Sequence, residues 1–348
     1  MYLSFISFLI VFTIIALTHE LGHLVWAKKA GVRVWELALG FGPRVLSFTK
    51  NQTRYAINLI PILGYVKIAG EGENEEDRTL PEEEKFYNKK PLEKIKALAA
   101  GPLMNIFTAF TILSFIFLLI GVPKGLSNEI GQISRGSPAE LAGLKVGDKI
   151  ITINGKQYSD MTEAVKFIHQ SANQTLIIKI KRDNKELTIK AAPKYHPRLK
   201  VALLGFSLKP TYVRVNPLVA LYHAIEQTFT LVILTLGIII QLIVGKVSFA
   251  DLAGPVGIAQ VTGRYAEAGI LSLLYFTALI SVNVGVLNLL PIPALDGGHI
   301  AFVLLEVIRK KRINPELENK INFWGLIVLL VLMGLVTIND LMRLFRSP

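Results

Sequence analysis

The 348 residues contain no cysteine, which excludes disulfides and thiolate metal sites and leaves His, Asp and Glu as the strong ligand types. Histidine is scarce too, at six, so two of them at helical spacing carry weight. Charge is thin at 18%, while 51% of residues are apolar and the mean hydropathy is +0.46. That is more apolar side chain than one soluble core consumes, and the excess is expected to face lipid. The net charge of +12 does not argue for nucleic acid, because no recognition module accompanies it and membrane proteins concentrate Lys and Arg in their cytoplasmic loops.

Five stretches are apolar enough to consider as membrane segments: 2–27, 96–122, 224–244, 269–293 and 321–338, the last reaching to about 342. The first has neither a basic leader nor a small-residue cleavage site, and its end holds the HELGH run, so it reads as a retained helix rather than a signal anchor. The polar stretch 28–95 carries Lys28, Lys29, Arg33, Arg44, Lys85, Lys89, Lys90 and Lys94, which assigns it to the cytoplasm. Within it, 33–48 and 54–69 are rich in β-branched and aromatic residues around Thr-Lys-Asn-Gln-Thr, predicting a hairpin. Residues 71–85 are acidic and contain Pro81, which predicts a mobile surface loop.

From 127 to 193 the chain changes character, alternating short β-rich runs with two helix-like segments, as a separate small domain would. Its text at 136–168, GSPAELAGLKVGDKIITINGKQYSDMTEAVKFI, resembles a PDZ domain. Such domains bind peptides by adding a strand to a sheet edge and often hold a terminal carboxylate on loop amides. In a permuted version that loop is expected at Leu204-Gly205-Phe206.

The chemistry concentrates at 19–23. Residues four apart on a helix share a face, so His19 and His23 can grip one ion. Glu20, beside them but not a ligand, is the expected proton acceptor for the attacking water and donor to the leaving amine. A bland reading, helical histidines that bond backbone or snorkel, stands beside this one. A catalytic zinc needs a third protein ligand. Asp296, ahead of Gly297 and Gly298 where the backbone can turn sharply, is the candidate, with His299 as rival.

Together HELGH at 19–23, GFGP at 40–43, AGPLMN at 100–105, the PDZ-like domain, SVNVGVLNLLPIPALDGGH at 281–299 and LLVLMGLVTINDLMRLF near the end resemble the bacterial site-2 proteases of the RseP/RasP type over most of the chain. The resemblance implies Zn2+ on His19, His23 and Asp296, Glu20 as general base, and Asn283, Asn288 and Asn105 as contacts to an unwound substrate. It implies single-span membrane proteins as substrates, anti-sigma factors or remnant signal peptides, already cut by a site-1 protease. One PDZ-like domain is found where Gram-negative relatives often have two.

The expected fold is a polytopic α-helical membrane protein with four spans, a metalloprotease core with a membrane-associated β-hairpin, and one small α+β PDZ domain. The domains are 1–126, the first half of the core; 127–210, an extracytoplasmic PDZ domain; 211–268, an accessory helix and linker; and 269–348, the second half. The expected place is the bacterial plasma (inner) membrane, with the active site toward the cytoplasm, lipid around it and no nucleic acid. The ligand geometry decides the span count. If 224–244 crossed fully, Asp296 would emerge on the face opposite the histidines, so that segment is expected to lie along the outer interface, dock on the bundle or dip in partway. Arg309, Lys310, Lys311 and Arg312, just after Asp296, agree with a cytoplasmic turn there. Two rivals, a membrane-bound binding protein with a structural metal and a metal transporter, fit less well. The first needs a fourth ligand and the second needs ligands spread along a path.

Overall fold

A computed structural model describes residues 2–71, 75–197, 200–248 and 252–346. By contacts the chain divides into two units, residues 1–116 with 221–348, and residues 117–220.

The first unit begins with α1 (Tyr2–Lys29), largely apolar up to the HELGH run and closed by a basic last turn. Helix α1 leads into β1 (Val34–Lys50) and β2 (Thr53–Ile68), joined at Asn51 and Gln52, both in the left-handed region that a two-residue hairpin turn requires. The hairpin bends and folds on itself. Residues 36–39 pair with 64–67 on one side and with 54–57 on the other, while 46–50 pair with 53–57. Four strand segments result, with 64–67 and 46–50 at the two edges. The base of the hairpin packs Val34, Leu37 and Ile68 against Leu24 and Ala27 of α1. Glu36 is buried and receives Arg44, Arg54 and the Tyr65 hydroxyl, tying three of the segments together.

Residues 75–88 form three short 3-10 turns instead of the mobile loop expected there. Two acidic side chains are tied down: Asp77 accepts from the Trp35 indole and the Gly70 amide, and Glu84 pairs with Arg33 at 2.7 Å. Residues 72–74, part of the same expectation, lie outside the described residues.

Helix α2 (Pro91–Ile120) carries the AGPLMN run. The second unit follows as β3 (Val122–Ile133), α3 (Pro138–Leu141), β4 (Lys149–Ile153), α4 (Met161–Gln170), β5 (Leu176–Arg182), β6 (Lys185–Ala191), β7 (Lys194–His196), β8 (Val201–Leu203) and β9 (Phe206–Val213). Five of the strands make one sheet in the order β6-β5-β4-β3-β9. Alternation along β5 turns Leu176, Ile178 and Ile180 inward onto Ile130, Ile153, Ala164 and Ile168. Asp148, buried beneath the sheet, is bracketed by Arg182.

The first unit resumes within α5 (Pro217–Ile243) and continues through α6 (Pro255–Glu267), α7 (Ile270–Asn288), α8 (Asp296–Arg309) and α9 (Pro315–Arg346). Five helices, α1, α2, α5, α7 and α9, are long and apolar enough to cross a membrane. Helix α5 is tied to α7 by two side-chain pairs, Gln227 to Tyr275 and Thr235 to Asn283, both separated by 48 residues. A constant offset means that the two helices run in the same direction, side by side.

Candidate metal centre

Three elements bring the centre together. On α1, His19 and His23 face the same way, with their Nε2 atoms 3.2 Å apart. Asp296, the first residue of α8, places one carboxylate oxygen 3.2 Å from His19 Nε2 and the other 3.5 Å from His23 Nε2. A tetrahedral ion with bonds of about 2.0–2.1 Å holds its ligand atoms about 3.3 Å apart, so these separations suit zinc. Burial alone would raise the Asp296 carboxyl, but its bonds to His19 and His23 outweigh that and hold it well below the usual carboxylate range. Among the described residues, His19, His23 and Asp296 are the one group of three potential ligands within reach of a single ion.

The imidazoles are oriented from behind. His23 Nδ1 lies 2.9 Å from the Ala97 carbonyl of α2 and donates to it, which leaves Nε2 with the free lone pair a metal requires. The two helices meet there with almost nothing between them. A Cβ at Gly22 would stand 2.2 Å from the Ala100 carbonyl oxygen, and one at Gly101 would stand 2.2 Å from His23 Nε2 itself. On the other side of the site, the fully buried Asn105 reaches His19 Nδ1 at 3.3 Å and Thr18 Oγ1 at 3.1 Å. Asn105 accepts from the Thr18 hydroxyl through Oδ1 and sets its amide nitrogen against His19 Nδ1, so the ring is held from this side too.

Glu20 lies beside the ligands rather than among them. The Val66 backbone N–H donates to its carboxylate, and its Cγ is 3.1 Å from where a Gly64 side chain would begin. The edge segment 64–67 therefore runs directly past the acid.

The remaining expected site residues are distributed differently. Asn283 is bonded to Thr235 of α5 at 2.7 Å, so in this arrangement its amide oxygen is occupied by a neighbouring helix. Asn288, at the end of α7, is half-buried. His299 stands outside the ligand group and pairs with Glu318 of α9 at 3.2 Å, and that bond raises its basicity against the burial that lowers it. The two glycines after Asp296 are helical and do not make the turn. They let loop carbonyls approach, with Leu290 O 2.2 Å from the Gly297 Cβ position and Ile292 O 2.3 Å from that of Gly298. The turn is made at Ala294, which has a φ of +72°.

A two-histidine, one-carboxylate set with a neighbouring glutamate, built on membrane-length helices, defines a membrane-embedded metalloprotease. The description of Peptidase family M50 matches residues 7–332. The chain belongs to that family and is a zinc metalloprotease of the site-2 type. It is 35% identical to the Regulator of sigma-W protease RasP of Bacillus subtilis, the alignment covering 98% of each chain. It is also 36% identical to a putative zinc metalloprotease of Rickettsia conorii over 99% of each chain, and 35% identical to one of Clostridium acetobutylicum over 95% of each. Among solved structures, the PDZ domain of the SdrC-like protein of Listeria monocytogenes matches at 20% identity, covering 25% of this chain and 90% of that one, with a TM-score of 0.22.

Proposed function

We propose that this protein is an intramembrane endopeptidase that cleaves the transmembrane helix of single-span membrane proteins after a first cut by a site-1 protease. Anti-sigma factors and remnant signal peptides are the substrate classes intended, and the name of the Bacillus relative, a regulator of sigma-W, favours the first. One observation carries the reading: His19, His23 and Asp296, the acid Glu20 and the sheet-edge segment 64–67 all meet at one place.

His19, His23 and Asp296 would hold zinc, which when bound polarises the scissile carbonyl and lowers the pKa of water. Glu20 takes the proton from the attacking water and delivers it to the departing amine nitrogen. A peptide bond inside a helix is shielded by its own hydrogen bonds, so the substrate has to be drawn out first. The 64–67 edge offers backbone donors and acceptors that an extended chain can pair with, which would lay the scissile bond beside Glu20. Asn105 is read here as the group that orients His19. Asn288 and Asn283 remain the proposed substrate contacts, the latter after its bond to Thr235 is exchanged.

The proposed topology has four spans. Lys28 and Lys29 close α1, and Arg309 to Arg312 follow the Asp296 turn, so both ends of the centre are assigned to the cytoplasmic face of a bacterial plasma membrane. The 117–220 unit then lies outside. Its turns and composition support a PDZ domain, and a groove of about 260 Å³ between α4 and β8–β9, lined by Ile168, His169, Leu204, Gly205 and Phe206, suits a peptide end. That groove is the proposed substrate filter.

The test is Glu20→Gln in purified full-length protein, with zinc content and cleavage of a helical transmembrane substrate measured together. Retained zinc with cleavage reduced by roughly 10²-fold or more is expected. Undiminished cleavage would remove Glu20 from the mechanism.

A further inference from the structure

The third ligand is the first residue of α8, directly after a loop, and loops are usually the least rigid parts of a protein. The 289–295 stretch closes a turn around Pro293 and Ala294 with the Leu295 N–H donating to the Ile292 carbonyl, and its turning residue, Ala294, holds a left-handed conformation that an alanine seldom adopts. Beyond that turn bond, the loop is also held from outside.

The first turns of α9 supply that hold with one stripe of side chains. The Asn322 Oδ1 accepts the Ala294 N–H at 3.1 Å, two residues ahead of Asp296. One turn further along, Gly325 meets Pro293 so closely that a Cβ there would stand 2.5 Å from the proline Cβ and 2.8 Å from its carbonyl oxygen. One turn earlier, Glu318 pairs with His299, three residues beyond Asp296. Positions 318, 322 and 325 share one helix face, and together they grip the loop on both sides of the ligand.

From this geometry we propose that Asn322 is a positioning residue for the metal centre: by holding Ala294 in its left-handed turn, and with Gly325 seating Pro293, it fixes where the Asp296 carboxylate points. The inference rests on the reading of His19, His23 and Asp296 as the zinc ligands. Asn322 touches neither metal nor substrate, and its effect passes through one backbone N–H. Its removal should therefore show first in metal affinity, and relaxing Ala294 should offset it.

The experiment measures zinc affinity of the full-length chain in detergent by competition with a chromophoric chelator, with thermal unfolding recorded in parallel. Asn322→Ala is expected to raise the zinc dissociation constant by about 10- to 100-fold, the usual effect of losing a group that orients a ligand. Adding Ala294→Gly, which takes the left-handed conformation freely, should recover most of that loss. Ala294→Val leaves α9 untouched yet disfavours the turn, and should weaken zinc by a similar factor. Wild-type affinity in Asn322→Ala or in Ala294→Val overturns the proposal, as does a loss that Ala294→Gly does not offset. Asp296→Asn is run alongside. If that variant keeps full affinity, the ligand set itself is wrong and the clamp falls with it; if it loses zinc while Asn322→Ala does not, only the clamp falls.

Discussion

Gly101→Ala adds one methyl group, and the structure says where it goes. The new carbon would lie 2.2 Å from Nε2 of His23, whereas ordinary contact begins at 3.4 Å. One of the two has to retreat by about 1.2 Å. The α2 backbone has little room, because Gly22 of α1 already lies against Ala100 and Gly101. The histidine is the softer partner, yet it is held from behind by the Ala97 carbonyl. Metal bonds tolerate about 0.2 Å, so a shift of this size breaks the ligation rather than bending it. A misplacement of about 1 Å at a reacting centre costs on the order of 10²-fold in rate, and zinc affinity should fall by at least as much as when an orienting partner is lost, about 10- to 100-fold. Alanine is otherwise the better helix former by about 1 kcal/mol, so the loss cannot be charged to helix propensity. Gly334→Ala in α9, where nothing lies within 4 Å, is the matched control and should leave zinc and cleavage unchanged. The assay is zinc retained per chain after dialysis against a weak chelator, alongside cleavage of a transmembrane substrate. If Gly101→Ala keeps wild-type zinc and rate, the α1–α2 contact is not what sets the histidine, and the close-packing argument fails.

Two further outcomes follow from buried carboxylates away from the metal. Burial raises the Asp148 carboxyl, but its bonds from Arg182 and the Lys145 N–H outweigh that and lower it. Its contribution to stability is therefore fully present above the unfolded value of about 3.9 and is lost as pH falls through the lower folded value. Asp148→Asn should destabilise a 121–215 fragment by about 2 kcal/mol at pH 7 and flatten its acid limb, read from thermal melts between pH 2.5 and 7; an unchanged acid limb would remove Asp148 as its source. Glu36→Ala strips the hairpin of the group that gathers Arg44, Arg54 and Tyr65, a local loss of about 2–3 kcal/mol. Zinc should stay bound while cleavage drops at least tenfold, and full cleavage would show that the hairpin need not be rigid.

What could be read from residues alone was what depends on local spacing. His19 and His23 are four apart on a helix and needed no fold to be paired, and Glu20 came with them. The hairpin was legible from its β-rich text. Its return on itself was not read, although Gly40 and Gly42 of the GFGP run, both at positive φ, stand where β1 bends. The structure brings Asp296 up to the two histidines, but not by a turn at Gly297 and Gly298: those glycines serve close approach, and the turn falls on Ala294, which is bonded from α9. Asn322 left no trace in the sequence, since its partner is a backbone N–H, which every residue but proline has. The acidic stretch after 70 looked mobile because composition reports charge and not partners, and Trp35 and Arg33 lie more than 40 positions away from the acids they bind.

Helix α5 is the place where hydropathy and ligand geometry compete. By length and composition it qualifies as a span. Its two polar ties to α7, equally offset, set it parallel to the helix that delivers Asp296. Two consecutive parallel helices require the chain between them to return to the starting face. The link from Ile243 to Pro255 leaves 11 residues for that return, enough to reach about 36 Å when extended. Helix α6 then begins where the Gly257 N–H meets Asp340 near the end of α9, and its Gly263 lies against Ser4 at the start of α1. Both contacts sit at the ends of α1 and α9 far from the candidate metal site, so α6 lies at the level from which α7 runs toward that site. Under the four-span reading, α5 enters from that same outer level and is carried back to it, so it adds no net crossing. This removes the conflict that a fifth crossing would create, because Asp296 and the two histidines can share one face only if α5 and the link after it together begin and end on the same side.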